Sequence, residues 1–229
     1  MALYAIGDLH LSLGADKPMD VFGGRWEGYV DKLREGFSAL TPDDTTVLLG
    51  DLSWALDLEG AREDFAFLAS IPGRKLLVKG NHDYWWSTAA HFDRFCADNG
   101  FRNLQLLHNN CYFYGDVALC GTRGWFYEEE RGDGHDEKIF RRELMRLEAS
   151  LMAGGTHEKY CFLHYPPRYR GYRCPEILAL LDKYGVSRCY YGHLHGESHR
   201  LALQGAENGV EFRLVSADYV NFKPEKLLD

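Results

Sequence analysis

Seven short apolar runs are spread along the chain, and between several of them the apolar residues recur with helical spacing. The runs are LYAIGD (3–8), TTVLLGD (45–51), KLLVKGN (75–81), VALCGT (117–122), KYCFLH (159–164), RCYYGH (188–193) and EFRLVSA (211–217). Runs this short and this continuously apolar predict mostly central, buried strands. In REDFAFLASI, Phe65, Phe67, Leu68 and Ile71 suit one side of a helix, as do Ile139, Leu144, Leu147 and Leu151 in DEKIFRRELMRLEASLM. CPEILALLDKYG predicts a further helix, with Pro175 early and Gly185 just past its end. Strand and helix alternating in this order define an α/β fold. Near the C-terminus HRLALQG and VEFRLVS look like a hairpin, which makes the sheet mixed. No repeat or break in composition divides the 229 residues, so one domain spanning 1–229 is expected.

The chemistry lies where the runs end. The first ends in GDLH, presenting Asp8 and His10, and the second ends at Asp51. The third ends in GNHD, with Asn81, His82 and Asp83; later runs end at His164 and at the pair His193 and His195. Residues two apart in an extended segment face one side, so His193 and His195 can aim at a common centre. Taken singly, each has an ordinary structural role. An Asp caps the next helix, an Asn turns the chain after a glycine, and a lone His sits at the edge of a core. Five such ends in one chain argue instead for a shared site at the carboxyl ends of the strands, where open α/β sheets gather their ligands.

Two Asp, one Asn and four His are more donors than one ion takes. They suit two divalent metal ions with one carboxylate bridging. The oxygen and nitrogen donors, with no thiolate, suit Mn²⁺, Fe or Zn²⁺ better than Cu(I), and Mn²⁺ is the ion expected first. Two ions about 3.5–4 Å apart clamp the attacking and leaving oxygens of a displacement at phosphorus.

A net charge of −8 argues against a general grip on nucleic acid, leaving a small phosphorylated substrate as the expected partner. No run approaches the ~18 apolar residues of a membrane span. The opening MALYAIGDLH lacks the basic start of a signal peptide, so the chain is expected to be cytoplasmic. None of the six cysteines forms a C-x-x-C pair, and most lie in apolar surroundings, as reduced core thiols do.

The order D-x-H, G-D, G-N-H-D, H, G-H-x-H over residues 8–195 resembles the calcineurin-like metallophosphoesterases. That resemblance implies a four-layer α/β/β/α sandwich with two mixed central sheets and a dinuclear site at the sheet ends. It implies that Asp8, His10 and His195 hold one metal, that Asn81, His164 and His193 hold the other, and that Asp51 bridges them. His82 matches the histidine that protonates the leaving oxygen. The implied reaction is hydrolysis of a small phosphomonoester or phosphodiester by in-line attack of a metal-bound hydroxide. A non-catalytic scaffold of the same fold and a nuclease are the alternatives. Retention of every ligand and of His82 weighs against the first, and the acidic balance weighs against the second.

The chain also departs from the protein phosphatase branch of that family. There the G-D element runs on as G-D-x-x-D-R-G, whereas here GDLSWALD puts Trp54 and Ala55 in place of the Asp and Arg. Asp57 or Asp83 is left to orient His82. Arg123 is the first candidate for a substitute phosphate-binding arginine, because its guanidinium fork suits phosphate oxygens. Arg168 and Arg170, which with Arg173 alternate with tyrosines in HYPPRYRGYR, are the second. Trp54 and the group Tyr84–Trp86 are candidates for a pocket wall, and 123–136 for a long, mobile loop.

Overall fold

The computed structural model describes residues 1–15, 17, 19–125 and 134–229, the side chains of 134–136 excepted. The first half of the chain runs β1 (Leu3–Ile6), α1 (Tyr29–Phe37), β2 (Thr45–Leu49), α2 (Arg62–Ser70), β3 (Arg74–Val78), α3 (Ala89–Asn99) and β4 (Leu104–Leu106). The second half runs β5 (Cys111–Tyr114), β6 (Val117–Thr122), α4 (Gly134–Ala153), β7 (Glu158–Leu163), β8 (Arg168–Tyr169), β9 (Tyr172–Arg173) and α5 (Pro175–Lys183). It ends with β10 (Val186–Tyr191), β11 (Gly205–Glu207), β12 (Val210–Leu214) and β13 (Glu225–Leu228).

Two large mixed sheets result. One has the order β13-β1-β2-β3-β4, the other β11-β12-β10-β7-β6-β5. Within them, only the outer pairs β13–β1, β11–β12 and β5–β6 are antiparallel; the central pairs are parallel.

The period-2 alternation of buried strands creates the layers. Leu3, Ala5, Val47, Leu49, Leu76 and Val78 of the first sheet face Leu119, Tyr160, Phe162 and Tyr190 of the second in a central core. The alternate residues Ile6, Leu48 and Leu77 turn outward to the helices of the first half, packing with Leu33, Phe65 and Phe92. On the far side, Cys120, Cys161, Cys189 and Tyr191 pack with Leu147, Leu151, Ile177 and Leu181 of α4 and α5. Both faces of each sheet are therefore covered, as the continuously apolar strand runs require, and the order of layers is α/β/β/α.

All seven expected runs contain strands, and the three expected helices form at 62–70, 134–153 and 175–183. Gly185 just beyond α5 takes the left-handed conformation (φ 62°) that ends helices. The C-terminal hairpin is shorter than expected. Residues 196–201 form a 3-10 helix, closed at its start by reciprocal bonds between His195 and Ser198, so only Gly205–Glu207 pairs with β12. Of the loop expected at 123–136, residues 126–133 lie outside the described residues, and α4 already begins at Gly134. The six cysteines are free thiols, five of them buried. Among the described residues no helix is long and apolar enough to cross a membrane.

Candidate metal centre

Backbone hydrogen bonds just past the strand ends tie the two sheets together at the site. Gly7 N–H donates to Val215 O at 2.8 Å and Ala217 N–H returns to Gly7 O at 2.9 Å. Asp8 N–H then donates to Gly50 O (2.9 Å), His10 N–H to Asp51 O (2.8 Å) and Gly192 N–H to His164 O (3.0 Å). This stitching forces the chain to turn sharply as each strand leaves its sheet. Asp8 (φ 60°), His10 (φ 46°), Asp51 (φ 50°) and His193 (φ 71°) all take left-handed backbone, which side-chain-bearing residues ordinarily avoid. Strain concentrated on candidate ligands is the pattern of a functional site held in place by its surroundings. The turns also crowd together. A Cβ on Gly80 would lie 2.1 Å from Asp51 Oδ1, and one on Gly192 2.4 Å from Asp8 Oδ2.

The side chains so placed converge. Asp8, His10 and His195 form one cluster and Asp8, Asp51 and His164 another, with the candidate ligand atoms of each within 4.8 Å of one another. His195 Nε2 lies 3.6 Å from Asp8 Oδ1 and 3.3 Å from His10 Nε2. Asp8 is common to both clusters, and Asp51 Oδ2, of the second, also reaches the first, 3.8 Å from His10 Nε2 and 3.6 Å from His164 Nε2. Asn81 Oδ1 approaches His164 Nε2 at 2.6 Å. His193 joins through its ring, 5.2 Å from that of His164, and through its backbone N–H, which donates to Asp8 at 3.0 Å.

Outer partners set the imidazole tautomers. His164 Nδ1 donates to Leu49 O at 3.0 Å, which leaves its Nε2 lone pair toward Asn81 and Asp51. His195 Nδ1 donates to Asp218 Oδ1 at 2.9 Å, which directs Nε2 at Asp8 and His10. A histidine whose other nitrogen is held in this way is the common form of a metal ligand.

The charges at the centre call for cations. Burial, and then the charge of Asp8, push the Asp51 carboxyl up to about 6. Burial also drives His164 down to about 4. Burial works against the charged form of His195 too, but its bonds to Asp218 and Asp8 prevail and raise it to about 10. At Asp8 burial is outweighed by His195, His164 and His10, which hold its carboxyl below the usual range. Two buried carboxylates repelling each other across a set of outward-turned imidazole nitrogens is a donor set that fits divalent metal ions.

The remaining expected residues separate. His82 and Trp54 line the same cavity of about 700 Å³ as His10, Asp51, His193 and His195. The ring of His82 lies 4.5 Å from that of Trp54. Trp26, Met19 and Tyr169 complete an apolar wall. Of the DYWW group, Trp85 is buried in the core, Tyr84 is exposed with its hydroxyl 3.4 Å from His82 Nδ1, and Trp86 lines a different cavity. Asp83 accepts N–H bonds from Asp51 (2.9 Å), Leu52 (2.8 Å), Gly80 (2.7 Å) and the Trp85 ring (2.8 Å), so it holds the Asp51 turn in shape. Asp57 is exposed and accepts from Gly60 N–H at 2.8 Å.

The arginines are not brought to this cavity. Arg123 lines the cavity that contains Trp86. Arg168 is buried, ion-paired with Glu207 and placed over the Phe212 ring, while Arg170 is exposed and lines neither cavity. Asp218 was not among the expected site residues. It is fully buried and accepts from His195 and from Gly196 N–H (3.0 Å), and its second oxygen lies 3.2 Å from His199 Nε2. The signal was present in the sequence, since Asp218 follows the last apolar run as Asp8 and Asp51 end the first two.

This fold and this site define a calcineurin-like phosphoesterase, and the chain belongs to that family, whose model matches residues 1–197. The family uses divalent metals. No curated protein matches the chain. Among solved structures it is similar to a phosphopantetheinyl hydrolase from Mycobacterium tuberculosis, with 15% identity, 99% of this chain and 95% of that one covered, and a TM-score of 0.61. It is also similar to the protein TT1561 of Thermus thermophilus (15% identity, 99% and 97% covered, TM-score 0.56). A third likeness is to a protein of unknown function from Aquifex aeolicus (16% identity, 98% and 95% covered, TM-score 0.51). At these identities the likeness is one of fold.

Proposed function

We propose that this chain is a single-domain phosphoesterase that binds two divalent ions, Mn²⁺ foremost, and hydrolyses a small phosphorylated molecule. The observation that carries the reading is the position of Asp51 Oδ2, within 4 Å of a histidine from each expected ligand set. Asp8, His10 and His195 would hold one ion and Asn81, His164 and His193 the other, with Asp51 between them. When bound, such a pair of ions polarises phosphoryl oxygens and acidifies water. The protein's own part is to orient and to move a proton. Leu49 O and Asp218 fix the His164 and His195 rings, and the Asp83 carboxylate fixes the turn that carries Asp51. His82 stands at the cavity wall with Nδ1 beside the Tyr84 hydroxyl, and its Nε2 hands a proton to the departing oxygen. Trp26, Trp54 and Tyr169 form an apolar wall for the organic part of the ester.

That one neighbour of the same fold is a hydrolase fits this reading without naming a substrate. The test is turnover of a chromogenic aryl phosphomonoester and of its diester counterpart with added Mn²⁺. Hydrolysis that disappears with chelator and in Asp51→Asn supports the reading, and the preferred ester separates phosphatase from phosphodiesterase. Asp51→Asn with near wild-type turnover overturns it.

A further inference from the structure

The second sheet carries a row of cysteines. Cys111, Cys120, Cys161 and Cys189 stand opposite one another in register on β5, β6, β7 and β10, on the side covered by α4 and α5. Cys111 lies on the edge strand and is half-buried, whereas the other five cysteines of the chain are buried.

The outer two are placed to join. Gly115 and Asp116 form a two-residue turn, so Tyr114 and Val117 are the hydrogen-bonded pair that closes the hairpin. Alternation then makes Cys111 and Cys120 a non-hydrogen-bonded pair, the kind whose Cα atoms stand about 4.5 Å apart with their side chains close. That spacing lies within the range a disulfide spans. Cys120 Sγ–H donates to Cys111 Sγ at 3.7 Å, and Cys111 in turn donates to Tyr112 O at 3.2 Å.

The two thiols are not equivalent. The bond from Cys120, against burial and with the Lys159 ammonium and the Leu119 N–H, lowers the pKa of Cys111. The same bond, together with burial, raises that of Cys120. Gly154, just past α4, leaves room for Lys159 beside the pair: a Cβ there would lie 3.2 Å from Lys159 Cε and 3.3 Å from Cys120 Sγ. A sulfur that favours the thiolate at a sheet edge, backed by a protonated thiol, is the arrangement of a peroxide-reactive cysteine and its resolving partner.

We propose that Cys111 is a site of reversible oxidation by a hydroperoxide and that Cys120 resolves it as a cross-strand disulfide. The Cys111 thiolate attacks the peroxide, so that an S–O bond forms as the O–O bond breaks. The hydroxide released takes up the proton that Cys111 gave up, leaving a sulfenic acid and water. Cys120 sulfur then attacks Cys111 sulfur; the S–S bond forms, the S–O bond breaks, and hydroxide departs with the Cys120 proton as a second water. Two thiols are oxidised by two electrons, and hydrogen peroxide is reduced to two waters. The buried pair Cys161 and Cys189 stays reduced. The inference does not depend on the reaction at the metal centre.

The test treats the reduced full chain, stripped of metal with chelator, with hydrogen peroxide, then denatures, alkylates and digests it with trypsin. Both cysteines fall in one tryptic peptide, 103–123, since no Lys or Arg lies between Arg102 and Arg123. This peptide is expected to become two hydrogens lighter and resistant to alkylation, about tenfold or more faster than any other cysteine is lost. Dithiothreitol restores it. Cys111→Ser, a one-atom change at a half-buried position, keeps its five thiols alkylatable under the same treatment. In Cys120→Ala the sulfenic acid persists on Cys111 and is trapped by dimedone. Survival of all six thiols in the wild-type chain, first loss at another cysteine, or a disulfide-linked dimer in place of the internal bond overturns the proposal. So does a Cys111→Ser variant that loses thiols as fast as the wild type.

Discussion

Replacing Asp218 with Asn separates a residue that orients a ligand from one that merely fills space. The carboxylate is fully buried and acceptor-only, and it meets His195 Nδ1–H at 2.9 Å, Gly196 N–H at 3.0 Å and His199 Nε2 at 3.2 Å. An asparagine cannot serve all three. With its oxygen on His195, its NH₂ group faces the Gly196 N–H, donor against donor; turned over, it forfeits the His195 bond. In either orientation His195 loses the negative charge that supports its Nε2 as a donor to metal. Loss of such an outer partner weakens metal affinity by roughly 10–100-fold, or about 1.4–2.8 kcal/mol. Of the two clusters, Asp218 touches the one formed by Asp8, His10 and His195. Calorimetric titration of Mn²⁺ into metal-free protein should therefore show one of two binding steps weakened and the other kept. Circular dichroism and a thermal melt check that the variant is folded. Two unchanged binding steps in a folded Asp218→Asn variant would refute the reasoning.

Three further outcomes follow from the same geometry. In metal-free protein Asp51→Asn is expected to raise stability while removing activity. The folded-state pKa of about 6 lies above the unfolded value, so the native state pays for an ionised Asp51 once the pH exceeds that value. The gain, on the order of 1–3 kcal/mol by urea unfolding at pH 7.5, vanishes below about pH 4, and a destabilised variant at pH 7.5 contradicts it. His82→Gln should slow hydrolysis of an alkyl phosphate by about 10²–10⁴ but that of an ester with an acidic phenol leaving group much less; equal losses would remove the proton-donor role. Gly192→Ala would place a Cβ 2.4 Å from Asp8 Oδ2. It should cost about 1–3 kcal/mol in a denaturant melt and lower metal affinity as well, and wild-type affinity would show that the turn has room to relax.

The layers and most of the centre were legible because their causes are local. Buried strands write continuous apolar runs, and their polar ends write the ligands, so Asp8, Asp51, His164 and His195 could be read in order. Of the cavity wall only Trp54 could be read in this way. Met19, at the start of a short 3-10 helix (Met19–Phe22), and Trp26 lie between β1 and α1, where no periodicity indicates what faces the site. The arginines show the same limit. Arg168 was placed by its distance from His164 in sequence, but its direction is decided by Glu207, thirty-nine residues away, and by the Phe212 ring. Asp83 was legible as a polar strand-end residue but not as the anchor of the Asp51 turn, since that role depends on the N–H groups of Asp51 and Leu52 in another segment of the chain.

The most direct test of the account is to strip the protein with chelator and add back Mn²⁺ stepwise, following bound metal and hydrolysis of an aryl phosphoester in the same samples. Two ions per chain, with turnover appearing as the second binds, is the predicted result. Full turnover with one ion or none per chain would contradict the dinuclear centre built on Asp8, Asp51 and the four histidines.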